Sequence, residues 1–202
     1  MNEGRAIVPI LNQLLSLPFV VKIATKDFHP PDHISFASNH APPNNVPFVS
    51  TITIQNPLNP EETQETRLWP IHCVQGTKGA ELLHELEVDK VDHIVEKGQD
   101  ERVEMYSAFA DPFTNPNVSR SELAQILHGK GITDVYVAGL AADYCVKYTA
   151  LDARKEGFKT WVVGEATRAV DPTSLPAVYK EYEGVGVAVI SKDEVVQSVD
   201  GS

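Results

Sequence analysis

A cysteine lies at a point in this sequence where strand-like residues give way to a helical pattern. Cys145 follows the β-rich run ITDVYVAG, and Val146, Thr149, Ala150 and Ala153 recur behind it at helical spacing. A turn from strand to helix exposes a side chain, and the N-terminus of the helix lowers the pKa of a thiol. The segment therefore predicts a cysteine nucleophile, with a buried structural cysteine as the alternative from these residues alone.

A lysine ends a second apolar run. Lys97 closes the segment HIVEK, and parallel strands of an α/β protein bring such ends to one edge of the sheet. A lysine beside Cys145 would stabilise a thiolate and the negative charge that develops during its attack. A lysine at a strand end is usually exposed to solvent and has no catalytic role. The assignment of Lys97 to catalysis therefore depends on Cys145 lying near it.

A third group of residues has the chemistry of a metal site. Asp27 and His29 are separated by one residue, so in extended backbone both side chains leave on the same side. A carboxylate and an imidazole bind transition metals when a third ligand joins them. His72, in WPIHCVQG, is the best candidate for that ligand, while His33 and His40 stay open as alternatives.

These groups need a scaffold, and the chain alternates between strand and helix patterns. Continuous apolar strands separated by helices indicate a mostly parallel sheet covered on both faces, which is a three-layer αβα architecture. The residues around Cys145 predict a helix over 143–156 with Asp143 as its cap. The predicted strands are 19–25, 93–97, 134–140, 159–164 and 185–191. The other predicted helices are 4–16, 119–131, 175–184 and 192–199, and the second of them has a predicted capping box from Ser119 or Ser121. The predicted loops are 27–70 and a polar stretch through Asn117.

The bulk properties restrict the class of protein. The 202 residues predict a single domain over 1–202. A net charge of −11 argues against nucleic acid or an anionic membrane as a partner. The apolar segment 6–21 is too short and too polar to span a bilayer. Two cysteines are too few for a disulfide framework, so we expect a cytoplasmic protein, with the nucleus, the peroxisome and a homo-oligomeric state left open.

Several segments together resemble a known family. TKDFHPPDHISFASNH, WPIHCVQGTKGAEL, VEKGQD, YSAF and GLAADYCVKYTALDA follow one another as the motifs of nicotinamidases do, within the isochorismatase-like cysteine hydrolase superfamily. The resemblance implies the isochorismatase-like hydrolase fold. It also implies hydrolysis of nicotinamide to nicotinate and ammonia through a thioester, as a step in the salvage of nicotinamide for NAD synthesis.

The resemblance assigns roles residue by residue. It implies Cys145 as the nucleophile, Lys97 as the lysine of an Asp–Lys–Cys triad, and Trp69 and Tyr106 as residues that flank the substrate ring. It implies a cis peptide between Leu140 and Ala141, which forms an oxyanion hole from the amides of Ala141 and Cys145. The implied metal ligands are Asp27, His29 and His72, and the metal is zinc most often, with iron or manganese as alternatives.

The sequence departs from this family at its first motif. Nicotinamidases begin with a central strand that carries D-x-Q-x-D-F, and the first aspartate of that motif completes the triad. The sequence here starts at MNEGRAIVPILNQLL, which matches the helix after that strand. We therefore expect the first central strand and the triad aspartate to be missing from residues 1–202. A related amidase for another small amide, or a catalytically impaired or non-catalytic family member, remains an alternative function.

Overall fold

The computed structural model describes residues 3–200 as five α-helices and seven β-strands. The predicted alternation of helix and strand runs through most of this range, and short 3₁₀ turns join the elements. The strands are β1 (Ile23–Asp27), β2 (Thr51–Asn56), β3 (Asn59–Arg67), β4 (His93–Lys97), β5 (Asp134–Leu140), β6 (Lys159–Arg168) and β7 (Val187–Ile190). The helices are α1 (Val8–Leu15), α2 (Leu123–Gly129), α3 (Cys145–Lys155), α4 (Leu175–Val185) and α5 (Lys192–Asp200).

The strands that approach the predicted site are parallel, as expected. β1 pairs with β4, and their register places Asp27 directly opposite Lys97. β5, β6 and β7 form a second parallel sheet in that order. Within residues 3–200, β1 pairs only with β4 and β5 only with β6, so each of these two strands keeps one free edge. In this range β4 and β7 likewise pair on one side only, so these strands form two separate parallel sheets, and the missing central strand stays a prediction.

The core shows why helices lie on both faces of the sheet. Neighbouring residues of a strand point to opposite faces. Val162 of β6 packs in a cluster with residues of α3 and α4, such as Val146 and Val178. The next residue, Val163, packs in another cluster with Leu14 of α1 and Val195 of α5. The three-layer αβα prediction is therefore confirmed.

The segment 27–70, predicted as a long loop, contains an antiparallel hairpin formed by β2 and β3. The prediction was wrong because β3 has the sequence NPEETQETR, which lacks the apolar alternation of a half-buried strand. Only Thr66 of this strand is buried. The hairpin is held by backbone pairing with β2 and by the packing of Ile54 of β2 in a buried cluster. It is also held by Glu62, which accepts the amides of Thr114 and Asn115. The rest of 27–70 contains one short 3₁₀ turn, Ala37–Asn39.

The predicted capping box before α2 is also absent from the described structure. The helix begins at Leu123, and the preceding Glu122 makes no capping hydrogen bond. The Ser121 hydroxyl instead accepts a hydrogen bond from the Leu123 amide at 3.1 Å and donates one to the carbonyl of Ala108. The serine thus ties the start of the helix to the neighbouring loop.

A search of the described helices for a membrane span found none with sufficient length and apolar character.

Candidate active site

The parallel pairing of β1 with β4 brings three of the predicted site residues together. Lys97 Nζ lies 2.6 Å from Asp27 Oδ1 and 3.4 Å from Cys145 Sγ. It also donates a hydrogen bond of 2.9 Å to the carbonyl of Met105. Lys97 is only 4% exposed, so it is not a solvated lysine at a strand end. Its three partners fix the ammonium group between a carboxylate and the thiol.

Lys97 and Asp27 each stabilise the charged form of the other. Burial alone would lower the pKa of Lys97, but the charge of Asp27 and the cysteine beside it raise that pKa above its usual value. Burial alone would raise the pKa of Asp27, but Lys97 and His29 hold it below its usual value. Lys97 is therefore a cation and Asp27 a carboxylate in the same buried site.

The thiol of Cys145 has the opposite shift from the one that the sequence predicts. Burial raises the pKa of Cys145 to about 11, although the nearby charge of Lys97 lowers it. The expectation of a lowered pKa at the start of a helix was wrong because the loss of water outweighs the helix N-terminus and the lysine. The resting group is a thiol whose ionisation Lys97 assists.

The predicted metal ligands converge. One ligand atom from each of Asp27, His29 and His72 lies within 4.8 Å of the others. The Nε2 atoms of both histidines lie 3.9 Å from Asp27 Oδ2. Each Nδ1 donates to a backbone carbonyl, that of Gly98 at 2.7 Å for His29 and that of Pro70 at 2.9 Å for His72. Since a carbonyl only accepts hydrogen bonds, the proton of each neutral ring lies on Nδ1 and the lone pair on Nε2 is free to bind a metal. Two imidazole nitrogens and one carboxylate oxygen fit a divalent transition metal.

Neither alternative histidine belongs to this set. His33 is fully buried behind His29, with the two ring centroids 4.1 Å apart, and its Nδ1 lies 2.9 Å from the hydroxyl of Ser35. Burial lowers the pKa of His33 to about 4. His40 Nε2 donates to the carbonyl of Ile34 at 2.6 Å. Both rings therefore have local structural partners.

A glycine makes the position of His29 possible. Gly98 follows β4 with a φ of +67°, a conformation that glycine adopts at little cost. A Cβ at this position would lie 2.4 Å from Cε1 of the His29 ring. The absence of a side chain lets the Gly98 carbonyl reach His29 Nδ1.

Aromatic side chains form a wall beside Cys145. Trp69 Nε1 donates a hydrogen bond of 2.9 Å to the hydroxyl of Tyr106. Tyr144, which precedes the cysteine, contributes a third ring, with its centroid 4.7 Å from that of Trp69 and 5.2 Å from that of Tyr106. Flat aromatic rings in this arrangement suit a planar heteroaromatic ligand. The cluster includes both residues that the resemblance assigns to the substrate ring.

The turn before α3 has the features that the resemblance implies for an oxyanion hole. The peptide between Leu140 and Ala141 is cis. Among residues 3–200 we find no protein acceptor for the amide of Ala141 or of Cys145. Two free N–H groups beside a nucleophile can bind the oxygen of a tetrahedral intermediate.

Asp143 does not cap α3, and the prediction that it does was wrong. Tyr144 occupies the capping position and makes no side-chain hydrogen bond to the helix. The carboxylate of Asp143 instead accepts hydrogen bonds from the amides of Val170 at 2.8 Å and Asp171 at 2.9 Å. These amides follow β6, and their position near Asp143 depends on the tertiary fold.

Two residues of the site were missed from the sequence. Glu104 is 4% exposed, and its Oε1 accepts the amide of Met105 at 2.9 Å, beside the carbonyl that binds Lys97. A carboxylate inside the apolar run VEMYSAF was the signal that could have identified it. Tyr144 could have been found from its position directly before Cys145.

Comparison with known proteins agrees with this geometry. The isochorismatase domain profile matches residues 34–194. The nicotinamidase of Schizosaccharomyces pombe is 38% identical over 196 residues, which cover 96% of this chain and 85% of that protein. The chain belongs to the isochorismatase domain family. The predicted family is thereby confirmed.

Solved structures of other family members have the same fold as this isochorismatase-family chain. The yeast nicotinamidase bound to the inhibitor nicotinaldehyde matches with a TM-score of 0.87 and 32% identity, covering 95% of this chain and 90% of that one. A pyrazinamidase of Pyrococcus horikoshii in complex with zinc matches with a TM-score of 0.70 and 30% identity, covering 95% of this chain and 88% of that one. The predicted isochorismatase-like fold is confirmed.

Proposed function

We propose that this protein hydrolyses nicotinamide to nicotinate and ammonia. The observation that carries the proposal is the contact of Lys97 Nζ with both Cys145 Sγ and Asp27 Oδ1, next to an aromatic wall and a set of metal ligands. The nicotinamidase of Schizosaccharomyces pombe and the yeast nicotinamidase support the choice of a pyridine carboxamide as substrate. Release of nicotinate would supply a precursor for the salvage synthesis of NAD.

The described residues would supply the nucleophile and the oxyanion hole of the reaction, and the resemblance assigns the proton transfer to the aspartate of the first family motif. The thiolate of Cys145 attacks the carboxamide carbon, so a C–S bond forms and the carbonyl oxygen becomes an oxyanion. The amides of Ala141 and Cys145 would stabilise that oxyanion. Collapse breaks the C–N bond, and ammonia leaves with the proton that the thiol gave up. Water then hydrolyses the thioester, which releases nicotinate and restores the thiol.

The aromatic wall and the metal ligands would orient the substrate. Trp69 and Tyr106, whose rings are nearly perpendicular to each other, would flank the substrate ring. Asp27, His29 and His72 would bind a divalent metal, for which we propose zinc because the Pyrococcus horikoshii relative was solved with zinc. The metal would act as a Lewis acid that holds the pyridine nitrogen. We expect about one metal ion per chain by elemental analysis and little in His29→Ala; stoichiometric metal in that variant would contradict the ligand assignment.

The direct test is the release of ammonia and nicotinate from nicotinamide by the purified protein. We expect Cys145→Ala to abolish product and Cys73→Ala to retain most of the rate, because Cys73 lies outside the contacts of Lys97. Pyrazinamide and a set of small aliphatic amides serve as competing substrates. Loss of activity in Cys73→Ala but not in Cys145→Ala would contradict the nucleophile, and a preference for an aliphatic amide would contradict the substrate.

A further inference from the structure

The turn that carries the proposed oxyanion hole is tied to the loop after β6. The amide of Ala142 donates a hydrogen bond of 2.9 Å to the carbonyl of Arg168, the last residue of β6. The next side chain, Asp143, accepts the amides of Val170 and Asp171 at 2.8 and 2.9 Å. The backbone on both sides of the Ala142–Asp143 peptide is therefore attached to the same neighbouring segment.

The carboxylate of Asp143 is suited to this attachment. Each of its two oxygens accepts one of two consecutive amides, with Oδ1 on Val170 and Oδ2 on Asp171. The residue is 8% exposed, so little water competes for these bonds. Hydrogen bonds from an amide to a charged carboxylate are among the stronger ones in proteins. Asp143 is thus a rigid connection within the turn between Ala141 and Cys145.

We propose that Asp143 is a positioning residue for the oxyanion hole. The two amides of the proposed hole belong to residues on either side of it, Ala141 and Cys145, and neither amide has another protein acceptor among the described residues. Asp143 fixes their separation and direction by anchoring the turn to the residues after β6. It touches neither the substrate nor the thiol, and this role rests on the hydrolysis proposed above.

Asp143→Asn is the decisive variant because it is nearly isosteric. The amide group of asparagine keeps one acceptor but presents an NH₂ group to the second backbone N–H, so one of the two bonds is lost. A displacement of the oxyanion hole affects the transition state more than the bound amide. We therefore expect kcat to fall about 10- to 100-fold while KM changes less than about twofold.

Asp171→Asn is the matched control. Asp171 lies in the same loop, and its carboxylate accepts the amide and the hydroxyl of Thr173 at 2.9 and 2.7 Å without contacting the turn at Ala141. Both bonds go to Oδ1, which the amide oxygen of asparagine can replace, so the same chemical change there keeps the loop and the bonds of Asp143. We expect its kcat to stay within about twofold of the original protein. Equal kcat in Asp143→Asn and Asp171→Asn would overturn the proposal.

Nicotinaldehyde gives a readout that a merely structural role would not change. The thiol of Cys145 adds to the aldehyde: a C–S bond forms, the C=O π bond breaks, and the thiol proton ends on the oxygen that the hole binds. We expect Asp143→Asn to weaken this inhibitor by about the factor lost in kcat, whereas the affinity for nicotinate stays the same. Parallel weakening of both ligands would show general damage to the site and refute the positioning role.

Two further measurements keep the test decisive. If Asp143→Asn does not fold, Asp143→Glu retains both acceptor oxygens one methylene farther out, and it should lower kcat without changing KM; an unchanged kcat would refute the role.

If the protein does not hydrolyse nicotinamide, the proposed function fails independently. Hydrogen exchange at the amide of Ala142, which is protected by its bond to the carbonyl of Arg168, then still decides this inference: faster exchange in Asp143→Asn than in Asp171→Asn shows that Asp143 anchors the turn, and equal exchange refutes it.

Discussion

Lys97 dominates the electrostatics of the site at the scale of single residues. Its ammonium group is the cation that lowers the pKa of Cys145 against the effect of burial. The same group holds the carboxylate of Asp27 in its charged form. Since only the thiolate attacks a carbonyl carbon, the lysine determines how much reactive cysteine exists at a given pH.

We predict that Lys97→Met shifts the reactivity of Cys145 to higher pH. Burial raises the pKa of the thiol to about 11, and the positive charge of Lys97 lowers it. Without the lysine the effect of burial is less compensated, so the pKa of Cys145 rises further. The rate of Cys145 alkylation by iodoacetamide between pH 7 and pH 10 should therefore fall, by about tenfold for each unit of pKa increase. The amidase rate should fall with it.

Lys26→Met is the control for this prediction. Lys26 lies one residue before Asp27 and pairs with Glu96 at 3.0 Å on the adjacent strand. It has no contact with Cys145 among those described, so its removal should leave the alkylation curve in place. Superimposable curves for the two variants would mean that Lys97 does not control the ionisation of the cysteine.

Most of the chemical groups could be predicted from the sequence, and the failures have a common cause. Cys145, Lys97, Asp27 and His29 each end or follow a predicted strand, so a local pattern predicts where they lie, whereas His72 was chosen from the loop WPIHCVQG because β3 before it was not predicted. Asp143 was misassigned because an aspartate before a helix usually caps it, whereas its actual partners lie 27 and 28 residues away. Local sequence contains no information about such partners. The burial that raises the pKa of Cys145 is likewise a property of the packed structure.

At the scale of elements, the register between β1 and β4 fixes the site. Asp27 lies opposite Lys97, and the next residues, Phe28 and Gly98, begin the loops that carry the metal ligands and receive His29. Side chains alternate between the faces of a strand, so a slip of one residue would turn Lys97 away from the cysteine. The five paired residues thus determine which side chains face each other.

We predict that Gly98→Ala disrupts the metal site. The new Cβ would lie 2.4 Å from the His29 ring, so the ring or the loop has to move away from its present position. Metal affinity, measured by competition with a chromophoric chelator, should fall about 10- to 100-fold, as it does when groups that orient a ligand are changed.

Gly131→Ala separates this clash from backbone strain. Gly131 has a φ of +66°, close to the +67° of Gly98, but a Cβ there would have no neighbour within 4 Å. Both variants place alanine in the same unfavourable conformation, and only one of them contacts a ligand. If metal affinity falls equally in the two, the effect comes from strain in the chain and the proposed contact is irrelevant.

Most strands were predicted where apolar residues are continuous, but β1 begins at Ile23 and ends at Asp27, so the predicted bounds 19–25 were wrong. β4 and β5 have the predicted bounds because HIVEK and DVYVAGL are compact apolar runs. The β2–β3 hairpin was missed because its second strand is polar and only one of its nine residues is buried. Backbone pairing holds such a strand, and pairing leaves no mark in the composition of the segment.

At the scale of the whole molecule, residues 3–200 contain two parallel sheets with free edges on β1 and β5. Backbone groups that are buried without partners cost about 1–3 kcal/mol each. A domain of this size has only about 5–15 kcal/mol of stability in total. The free edges of β1 and β5 are the positions at which a further parallel strand could pair and add stability.

We predict that residues 1–202 alone form a marginal protein with a slow amidase reaction. Fusing a strand with the pattern D-x-Q-x-D-F to the N-terminus should raise the free energy of unfolding by at least about 1–3 kcal/mol, measured by denaturant titration. It should also raise the amidase rate by about 100- to 10,000-fold, the usual contribution of a general acid or base.

Two control extensions separate these effects. Replacing the first aspartate of the motif by asparagine should keep the gain in stability and lose most of the gain in rate. A strand of the same length with a central proline should give neither, because proline cannot complete the backbone pairing. A normal amidase rate and cooperative unfolding of residues 1–202 without any extension would refute the prediction.

The aromatic wall also gives the molecule an optical probe of its own site. The sequence has two tryptophans, and only Trp69 belongs to the wall. Trp161 of β6 stacks on Tyr136 of β5, with ring centroids 5.0 Å apart. Trp161→Phe would leave Trp69 as the single indole emitter. A pyridine ring that enters the pocket then quenches or shifts its fluorescence, so stopped-flow spectroscopy can time substrate entry separately from the chemical steps.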